Sequence, residues 1–370
     1  MVDAPSPEID PTAALEEDEP LPLDTSLPPE IASPLAPFKG EEPASPPWFK
    51  AALARQPERS FVSVLGARIE LLTWGERGKP GLIFVHGNSA HADWWSFIAP
   101  FFADDYRVAA LSLSGMGLSD WRDSYSFETF SEEIHECAKA AGLYEAAEKP
   151  VYIGHSFGGG QVFYSTSHHP ERMKASILVD TGFGGPPTQE EVDRWEKEEI
   201  ARGGKPGRFS APRHRTGPNK VYPTLPAALA RFRFMPPQVP GNLYIADYIA
   251  RLSVKPAPEG DGWTWRFDPG IWGKLDRTGM MTPAASAATP PMVHIYGDQS
   301  AIIRNMEAMG RGLHMIPASV PRIVIPDSEH HIKVDQPLAL VAALRTDWRS
   351  GPAPPDAAGA IDLEAHRRLV

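Results

Sequence analysis

The sequence predicts an α/β fold, in which a doubly wound, mostly parallel sheet carries an inserted, mainly helical cap. Short apolar runs alternate along the chain with segments of helical periodicity. A run such as GLIFVH at residues 81–86 has almost no polar positions, which is typical of a strand covered on both faces. One segment, residues 183–288, breaks this alternation and is too long to be a structureless loop in a compact domain.

The strands and helices follow from the same patterns. Two β-rich runs on either side of Gly66, residues 60–65 and 68–74, predict a hairpin. Further strands are predicted at residues 81–86, 107–113, 150–154, 175–180, 291–297 and 321–326. Helices are predicted at residues 91–103, 127–142, 157–168, 300–312 and 335–348.

Composition divides the chain further. Residues 1–47 hold eleven acidic residues and one basic residue, with many prolines, and are predicted to be a disordered extension. The α/β core is predicted in two parts, residues 48–182 and 289–350, on either side of the cap at 183–288. Residues 351–370 are predicted to form a second, shorter tail.

The charge balance limits the possible partners. The net charge of −11 comes almost entirely from the N-terminal extension, so no basic face for nucleic acid is expected. A single cysteine, Cys137, allows no intrachain disulfide. Neither a signal peptide nor an apolar run near the roughly 20 residues of a membrane span is found. We expect a cytoplasmic protein without a membrane span, and its oligomeric state stays open.

The strongest chemical signal lies at residues 151–160, which read VYIGHSFGGG. An apolar strand leads through a tight turn into a helix, and glycines lie two residues before and two residues after Ser156. Such a turn holds the serine hydroxyl clear of the backbone at the carboxyl edge of the sheet. It also places the backbone amide of Phe157 at the helix N-terminus, where it can stabilise an oxyanion. Ser156 is therefore predicted to be a nucleophile.

At this turn the chain resembles the α/β-hydrolase superfamily, and the resemblance covers about residues 60–350 apart from the cap. HGN at residues 86–88 is similar to the family's H-G-x motif, which implies that the backbone N–H of Asn88 is the second oxyanion donor. GMGLSD at residues 115–120 matches the family's G-x-G-x-S-[DN] loop. HHIKVDQP at residues 330–337 resembles the segment around the family's catalytic histidine.

Two adjacent histidines, His330 and His331, follow the predicted strand at residues 321–326. A histidine on a loop at the carboxyl edge of the sheet can reach the serine hydroxyl and act as its base. In the family's H-x-x-x-x-[DE]-x-P spacing, Asp335 and Pro337 select His330.

The acid that supports this base has two candidates. Many family members place it in a G-x-x-D segment, but here the segment reads GDQS at residues 297–300, with Ser300 at the carboxylate position. Asp298 could reach the histidine from two positions earlier. Alternatively, Asp180 could supply the carboxylate from the end of a strand, as in some dehalogenase-like and lactonase-like members. Asp180 is the preferred candidate.

No metal or cofactor is predicted. The sequence has no His-x-x-x-His or paired-cysteine spacing for a metal. FGGG at residues 157–160 lacks the Walker lysine and the dinucleotide glycine pattern. The aromatic residues of the cap are expected to form its core, and a subset would line an apolar pocket that faces Ser156.

The resemblance implies a function through these residues. A serine at position 156 argues against dehalogenase and epoxide hydrolase chemistry, which require a carboxylate nucleophile in this family. The predicted function is hydrolysis of a carboxylic ester or lactone of a hydrophobic small molecule, through an acyl-enzyme on Ser156. Two alternatives remain: a C–C bond hydrolase of ring-cleavage products, and a non-catalytic ligand receptor on the same fold.

Overall fold

The computed structural model describes residues 27–182, 217–258, 260–278, 290–308 and 320–346, with single positions between 190 and 201. The described strands are β1 (Glu58–Val64), β2 (Ala67–Trp74), β3 (Gly81–Val85), β4 (Arg107–Leu111), β5 (Tyr125–Ser126), β6 (Val151–His155), β7 (Ala175–Val179), β8 (Val254–Pro256), β9 (Trp263–Trp265), β10 (Leu275–Asp276), β11 (Met292–Gly297) and β12 (Arg322–Ile325). The described α-helices are α1 (Pro29–Ala32), α2 (Pro47–Ala54), α3 (Phe127–Ala140), α4 (Phe157–His168), α5 (Leu225–Leu229), α6 (Leu243–Ser253), α7 (Ile271–Lys274), α8 (Ala301–Ala308), α9 (Ile332–Asp335) and α10 (Pro337–Arg345).

Eight strands form one sheet in the order β1-β2-β4-β3-β6-β7-β11-β12. Strand β2 is antiparallel to both of its neighbours, and the other pairs are parallel. Apolar clusters cover both faces, so side chains alternate between them: Phe84 belongs to one cluster, and Ile83 and Val85 belong to the other. This two-sided burial is why β3 is apolar throughout. The predicted doubly wound, mostly parallel sheet is confirmed.

The predicted helices agree with the structure to different degrees. Helices α3 and α4 lie where the periodicity placed them, and α3 is capped by Ser126, whose side chain accepts the N–H of Thr129. The helix predicted at residues 91–103 is wrong, because two separate 3₁₀ helices, Ala92–Trp95 and Ala99–Phe101, occupy that segment. Pro100 lacks the N–H that a continuous α-helix would need there.

The C-terminal helix predicted at residues 335–348 is divided. Helix α9 ends at Asp335 and α10 begins at Pro337, with Gln336 between them at φ −129° and ψ 60°. The residue before a proline is disfavoured in the α region, which explains the break. Helix α8 lies within the helix predicted at residues 300–312, and the remaining positions of that prediction lie outside the described residues.

The N-terminal segment corrects a prediction of disorder. Residues 27–46 include α1 and pack on the body of the protein, where Leu35 is 2% exposed and belongs to the main apolar cluster. Arg251 of α6 also donates a hydrogen bond to the carbonyl oxygen of Gly40 at 2.7 Å. Eight of the eleven acidic residues precede residue 27. The acidic average composition of residues 1–47 therefore did not indicate the apolar residues that follow residue 26. Residues 1–26 and 351–370 lie outside the described residues.

Two truncations should distinguish residues 1–26 from residues 27–46 by their effects on the Tm. Deleting residues 1–26 is expected to leave the Tm nearly unchanged. Deleting residues 1–46 should lower it by roughly 5 °C or more, since loss of a buried leucine alone costs about 2 kcal/mol and each kcal/mol moves the Tm by about 2–4 °C in a domain of this size. Differential scanning calorimetry of both truncations, with Leu35→Ala in the full chain as a point control, tests this. Equal Tm values for the two truncations would contradict the packing role of residues 27–46.

The segment predicted as a cap lies between β7 and β11, which are neighbours in the sheet. Its described part contains α5, α6, α7 and the short strands β8, β9 and β10. Strand β10 pairs with β5 of the core, and the hydroxyl of Tyr125 in β5 donates to Asp268 of the insertion at 2.8 Å. Ile245 and Ile249 of α6 belong to the same apolar cluster as the sheet. The insertion is thus packed against the core along much of its described length. None of the described helices is long and apolar enough to cross a membrane.

Candidate active site

Ser156 lies in the turn between β6 and α4, with φ 55° and ψ −120°. A positive φ is rare for a residue with a side chain, so the surrounding contacts must hold it. The backbone N–H of Ser156 donates to the carbonyl oxygen of Val179 at 2.9 Å. A Cβ atom at Gly154 would lie 2.4 Å from the carbonyl oxygen of Gly158, and one at Gly158 would lie 2.3 Å from that of His86. Both glycines of the motif are therefore sterically required.

Three side chains form a hydrogen-bonded row at the carboxyl edge of the sheet. The Nε2 atom of His330 lies 2.8 Å from Oγ of Ser156, and its Nδ1 atom lies 2.7 Å from Oδ1 of Asp180. His330 and Asp180 are 1% and 0% exposed, whereas Ser156 is half-buried. A carboxylate only accepts hydrogen bonds, so Nδ1 carries the proton and Nε2 is left to accept the hydroxyl proton.

The carboxylate of Asp180 is held by two further donors. The backbone N–H of Gly297 donates to Oδ2 at 2.9 Å, and the hydroxyl of Ser300 donates to Oδ1 at 2.6 Å. The Ser300 hydroxyl also accepts the N–H of Ile303 in α8 at 3.2 Å. Ser300 thus stands where the G-x-x-D motif predicts a carboxylate and binds the carboxylate that replaces it. The sequence signal that could have indicated this contact is the position of Ser300 three residues after Gly297, where the motif has its carboxylate.

Asp298, the other candidate acid, is oriented differently. Its side chain is exposed, and Oδ1 accepts the N–H of Ser328 at 3.2 Å. No hydrogen bond within the described residues joins it to His330. The geometry therefore brings Asp180 to the histidine and leaves Asp298 in the loop after β11.

The predicted oxyanion donors lie on two sides of the serine. Phe157 is the first residue of α4, and a Cβ atom at Gly87 would lie 3.3 Å from Cβ of Ser156, so the loop that contains Asn88 lies against the nucleophile. No hydrogen bond within the described part of the chain uses the backbone N–H of Asn88 or Phe157. Both groups are thus available to a ligand atom beside Ser156.

Comparison with known proteins decides the family. A family model described as the alpha/beta hydrolase fold matches residues 80–337. This chain belongs to the α/β-hydrolase family. The match extends across both parts of the sheet and the segment inserted between them.

Individual relatives of this α/β-hydrolase family member are more distant. It is 30% identical over 118 residues to epoxide hydrolase 4 of Homo sapiens, which covers 31% of this chain and 32% of that protein. It is 33% identical over 117 residues to a non-heme chloroperoxidase of Streptomyces lividans, covering 31% of this chain and 41% of that protein. The chain thus matches only about a third of the length of the first of these relatives.

Solved structures agree over a larger part of the chain. A thioesterase domain from the curacin biosynthetic pathway has a TM-score of 0.56 at 22% identity, covering 78% of this chain and 98% of that one. E-2-(acetamidomethylene)succinate hydrolase has a TM-score of 0.57 at 15% identity, covering 78% and 97%. At these identities the likeness shows the fold alone.

The contact of Ser300 with Asp180 gives a direct prediction for this member of the α/β-hydrolase family. Ser300→Ala removes one of the three donors to the Asp180 carboxylate, and a hydrogen bond to a charged group is worth about 1.5–3 kcal/mol. If Asp180 supports His330 as the base, kcat is expected to fall roughly tenfold. Ser328→Ala is the matched control, because the Ser328 hydroxyl faces the carbonyl oxygen of Glu329 and not the triad. Equal kcat values for the two variants would show that the Ser300 contact does not support the acid.

His86 anchors the oxyanion loop without taking part in proton transfer. Its Nε2 atom accepts the N–H of Leu113 at 2.9 Å, so Nδ1 carries the proton and donates to the carbonyl oxygen of Gly87 at 2.7 Å. Burial lowers the pKa of His86 to about 3, which keeps the ring neutral. These contacts give His86 a structural role in the loop that contains Asn88.

His331 faces the insertion instead of the nucleophile. Its Nε2 atom donates to the carbonyl oxygen of Met235 at 3.2 Å, and its backbone N–H donates to Oε1 of Gln238 at 2.9 Å. The other end of Gln238 donates to the carboxylate of Asp335, at 3.0 and 3.1 Å to its two oxygens. The histidine loop and the loop at residues 235–242 are therefore tied together, a contact that no sequence pattern indicated.

Asp335 completes this connection. Its carboxylate also accepts the backbone N–H of Glu329 at 2.9 Å and that of Gly241 at 3.1 Å. Burial raises the pKa of Asp335 to about 6 even though these donors favour the charged form. The H-x-x-x-x-[DE]-x-P spacing selected His330 from the sequence. Its acidic position, Asp335, is a carboxylate that holds the loop around residues 329–331 in place.

Two groups of side chains in the described part of the chain offer three possible metal ligands each. One is His155, His330 and His331, and the other is Glu128, Glu132 and His169. No spacing rule found the histidine group, because His155 ends β6 and the other two follow β12.

Proposed function

We propose that this chain is a serine hydrolase that cleaves a carboxylic ester or lactone of a hydrophobic small molecule through an acyl-enzyme on Ser156. The observation that carries the proposal is the row from Asp180 through His330 to Ser156, with separations of 2.7 and 2.8 Å. This arrangement matches the requirements of nucleophile, base and orienting acid in both distance and proton position.

In the proposed reaction, Ser156 attacks the carbonyl carbon while His330 takes its proton at Nε2. The backbone N–H groups of Asn88 and Phe157 then donate to the oxygen that becomes negative. Collapse of the tetrahedral intermediate breaks the bond to the leaving alcohol, which receives the proton from His330. Water, deprotonated by the same histidine, releases the acid and restores the serine.

Asp180 has a supporting part in this scheme. The imidazolium that forms on His330 is stabilised by a carboxylate 2.7 Å from its Nδ1–H, in a site where both side chains are almost fully buried. Burial strengthens the attraction between the two charges compared with water. The donors from Gly297 and Ser300 hold the carboxylate in its orientation toward His330.

The chemistry of the nucleophile favours acyl substrates over epoxides, although a relative is named as an epoxide hydrolase. Opening of an epoxide by the Ser156 hydroxyl would leave an ether on the enzyme, which water and a histidine base cannot cleave. Attack on an ester or lactone leaves an acyl-enzyme with an electrophilic carbonyl, which water can attack.

The insertion supports the proposal of a hydrophobic substrate. Trp272 of α7 packs edge-on against Phe157, the residue that follows the nucleophile, with ring centroids 5.5 Å apart. On the other side, Phe234 packs against His331 with centroids 4.7 Å apart. We infer that the insertion acts as a cap that bounds an apolar pocket, since aromatic side chains with few polar groups are typical of small-molecule sites.

A substrate panel tests this function. The full chain is assayed with p-nitrophenyl acetate, butyrate and octanoate and, separately, with styrene oxide, with Ser156→Ala as the control for contaminating esterases. We expect turnover of the esters and no diol from the epoxide. Diol formation would contradict the acyl mechanism, and tight ester binding without turnover would favour a receptor.

A further inference from the structure

Three histidine rings lie together at the site: His330 of the hydrogen-bonded row and its neighbours His155 and His331. His155 at the end of β6 packs against His330 in a tilted arrangement with ring centroids 4.8 Å apart, and His331 lies 4.8 Å from His330 and 5.5 Å from His155. One ring nitrogen of each lies within 4.8 Å of the other two. The three residues are 1%, 1% and 5% exposed.

Two of these rings carry a lone pair without a partner. The Nε2 atom of His155 faces the carbonyl oxygen of His330 at 3.0 Å, and that of His331 faces the carbonyl oxygen of Met235 at 3.2 Å. Both Nε2 atoms therefore carry the proton, which leaves each Nδ1 as a bare acceptor. Both Nδ1 atoms are buried and form no hydrogen bond within the described residues. Two unpaired acceptors on neighbouring rings, whose centroids are 5.5 Å apart, are unusual, because each costs free energy when buried.

We infer that His155, His330 and His331 form a binding site for a transition-metal ion of the Zn²⁺ or Cu²⁺ type, and that metal bound there inhibits the hydrolase. Imidazole nitrogen is a preferred ligand of these ions. Nitrogens no more than 4.8 Å apart have a common centre at most about 2.8 Å (4.8 Å divided by √3) from each. Because Zn–N bonds are about 2.0–2.1 Å long, each ring needs to move inward by less than about 1 Å.

Inhibition follows from the position of His330, and this part of the inference rests on the proposed function. Its Nδ1 atom is bonded to Asp180 and its Nε2 atom to Ser156. A metal bond to either nitrogen breaks one link of that row and removes the base. The site therefore acts against turnover and does not hold a resident cofactor.

The second group of possible ligands provides a control. Glu128 and His169 are paired with each other at 3.1 Å, and Glu132 is paired with Arg172 at 2.5 Å. Two carboxylates favour harder ions than a set of three imidazoles does.

The test uses the full chain after treatment with a chelator. ZnCl₂, CuCl₂ and MgCl₂ are titrated while p-nitrophenyl butyrate turnover and tryptophan fluorescence are recorded, since Trp94 lies 5.6 Å from His331 between ring centroids and bound Cu²⁺ quenches a nearby indole. We expect Zn²⁺ and Cu²⁺ to remove more than about nine-tenths of turnover at one equivalent, EDTA to restore it, and Mg²⁺ to have no effect. Quenching at one equivalent of Cu²⁺ reports metal binding even if no ester is turned over. Failure of the proposed ester hydrolase function can therefore be told apart from failure of the metal site.

Variants locate the site. His331→Gln, whose amide can still donate to the Met235 carbonyl oxygen, should raise the half-inhibiting metal concentration at least about tenfold, consistent with loss of one of three ligands. His169→Gln should leave it unchanged. Equal sensitivity of His331→Gln and the wild type, or resistance of His169→Gln, would overturn the inference. X-ray absorption of the zinc-loaded wild type gives a test without a variant: three imidazole nitrogens are expected, and a carboxylate-rich shell would contradict the site.

Discussion

Asp180→Asn is expected to lower kcat for an ester substrate by about 10⁴-fold, with a small change in KM. All three groups that face this carboxylate are donors: Nδ1–H of His330, the hydroxyl of Ser300 and the N–H of Gly297. An asparagine must direct its own NH₂ group at one of these donors. If it turns toward His330, Nδ1 becomes an acceptor and the proton moves to Nε2, where it blocks proton transfer from Ser156.

Asp298→Asn is the matched control for that variant. Asp298 is exposed and accepts only the N–H of Ser328 within the described residues. The kcat of the Asp298→Asn variant should therefore stay within about twofold of the wild-type value. Steady-state kinetics of both variants, with circular dichroism to verify folding, make the comparison. A large loss in Asp298→Asn together with an active Asp180→Asn would reverse the assignment of the acid.

Removal of the nucleophile should have the largest effect. Ser156→Ala is expected to lower kcat by about 10⁵- to 10⁶-fold, because no acyl-enzyme can form. His330→Ala should cost nearly as much, since the serine hydroxyl is a weak nucleophile without its base. The two residues act on one proton transfer across a distance of 2.8 Å, so their effects should not add.

A double-mutant cycle measures this coupling. The variant with both substitutions should be about as slow as either single variant, leaving the activity that the oxyanion donors alone supply. Burst kinetics with p-nitrophenyl acetate would show whether any variant still acylates. Losses that multiply in the double variant would mean that Ser156 and His330 do not act as one unit.

The parts of the site that the sequence could predict are those carried by local structure. The nucleophile turn is local, because strand β6, Ser156 and helix α4 follow one another in the chain. Its glycine pattern follows from close approaches of nearby backbone atoms, which leave no room for a Cβ atom. His330 could be chosen over His331 because the spacing to Asp335 is also local. The choice between Asp180 and Asp298 required the positions of two loops relative to a histidine 150 residues from the first of them.

Other features depended on tertiary packing that no short pattern encodes. The apolar residues at 91–103 favoured a helix, but the segment, which is buried except at the half-buried Phe101, forms two 3₁₀ helices, and Pro100 lacks the N–H for a continuous α-helix. Leu35 was hidden in a segment of acidic composition, and its packing shows only in the folded chain. The histidine group arises because the loop after β12 reaches the end of β6, where the His155 ring contacts the carbonyl oxygen of His330, 175 residues away in the chain.

The central claim, that Ser156 is the nucleophile, is tested most directly by covalent labelling. The full chain is treated with a fluorophosphonate, digested, and its peptides are identified by mass spectrometry. The account predicts one phosphonyl adduct on the peptide that contains Ser156, formed in step with loss of esterase activity and nearly absent in His330→Ala. An adduct on another serine that accompanies inactivation, or inactivation without an adduct on Ser156, would contradict it.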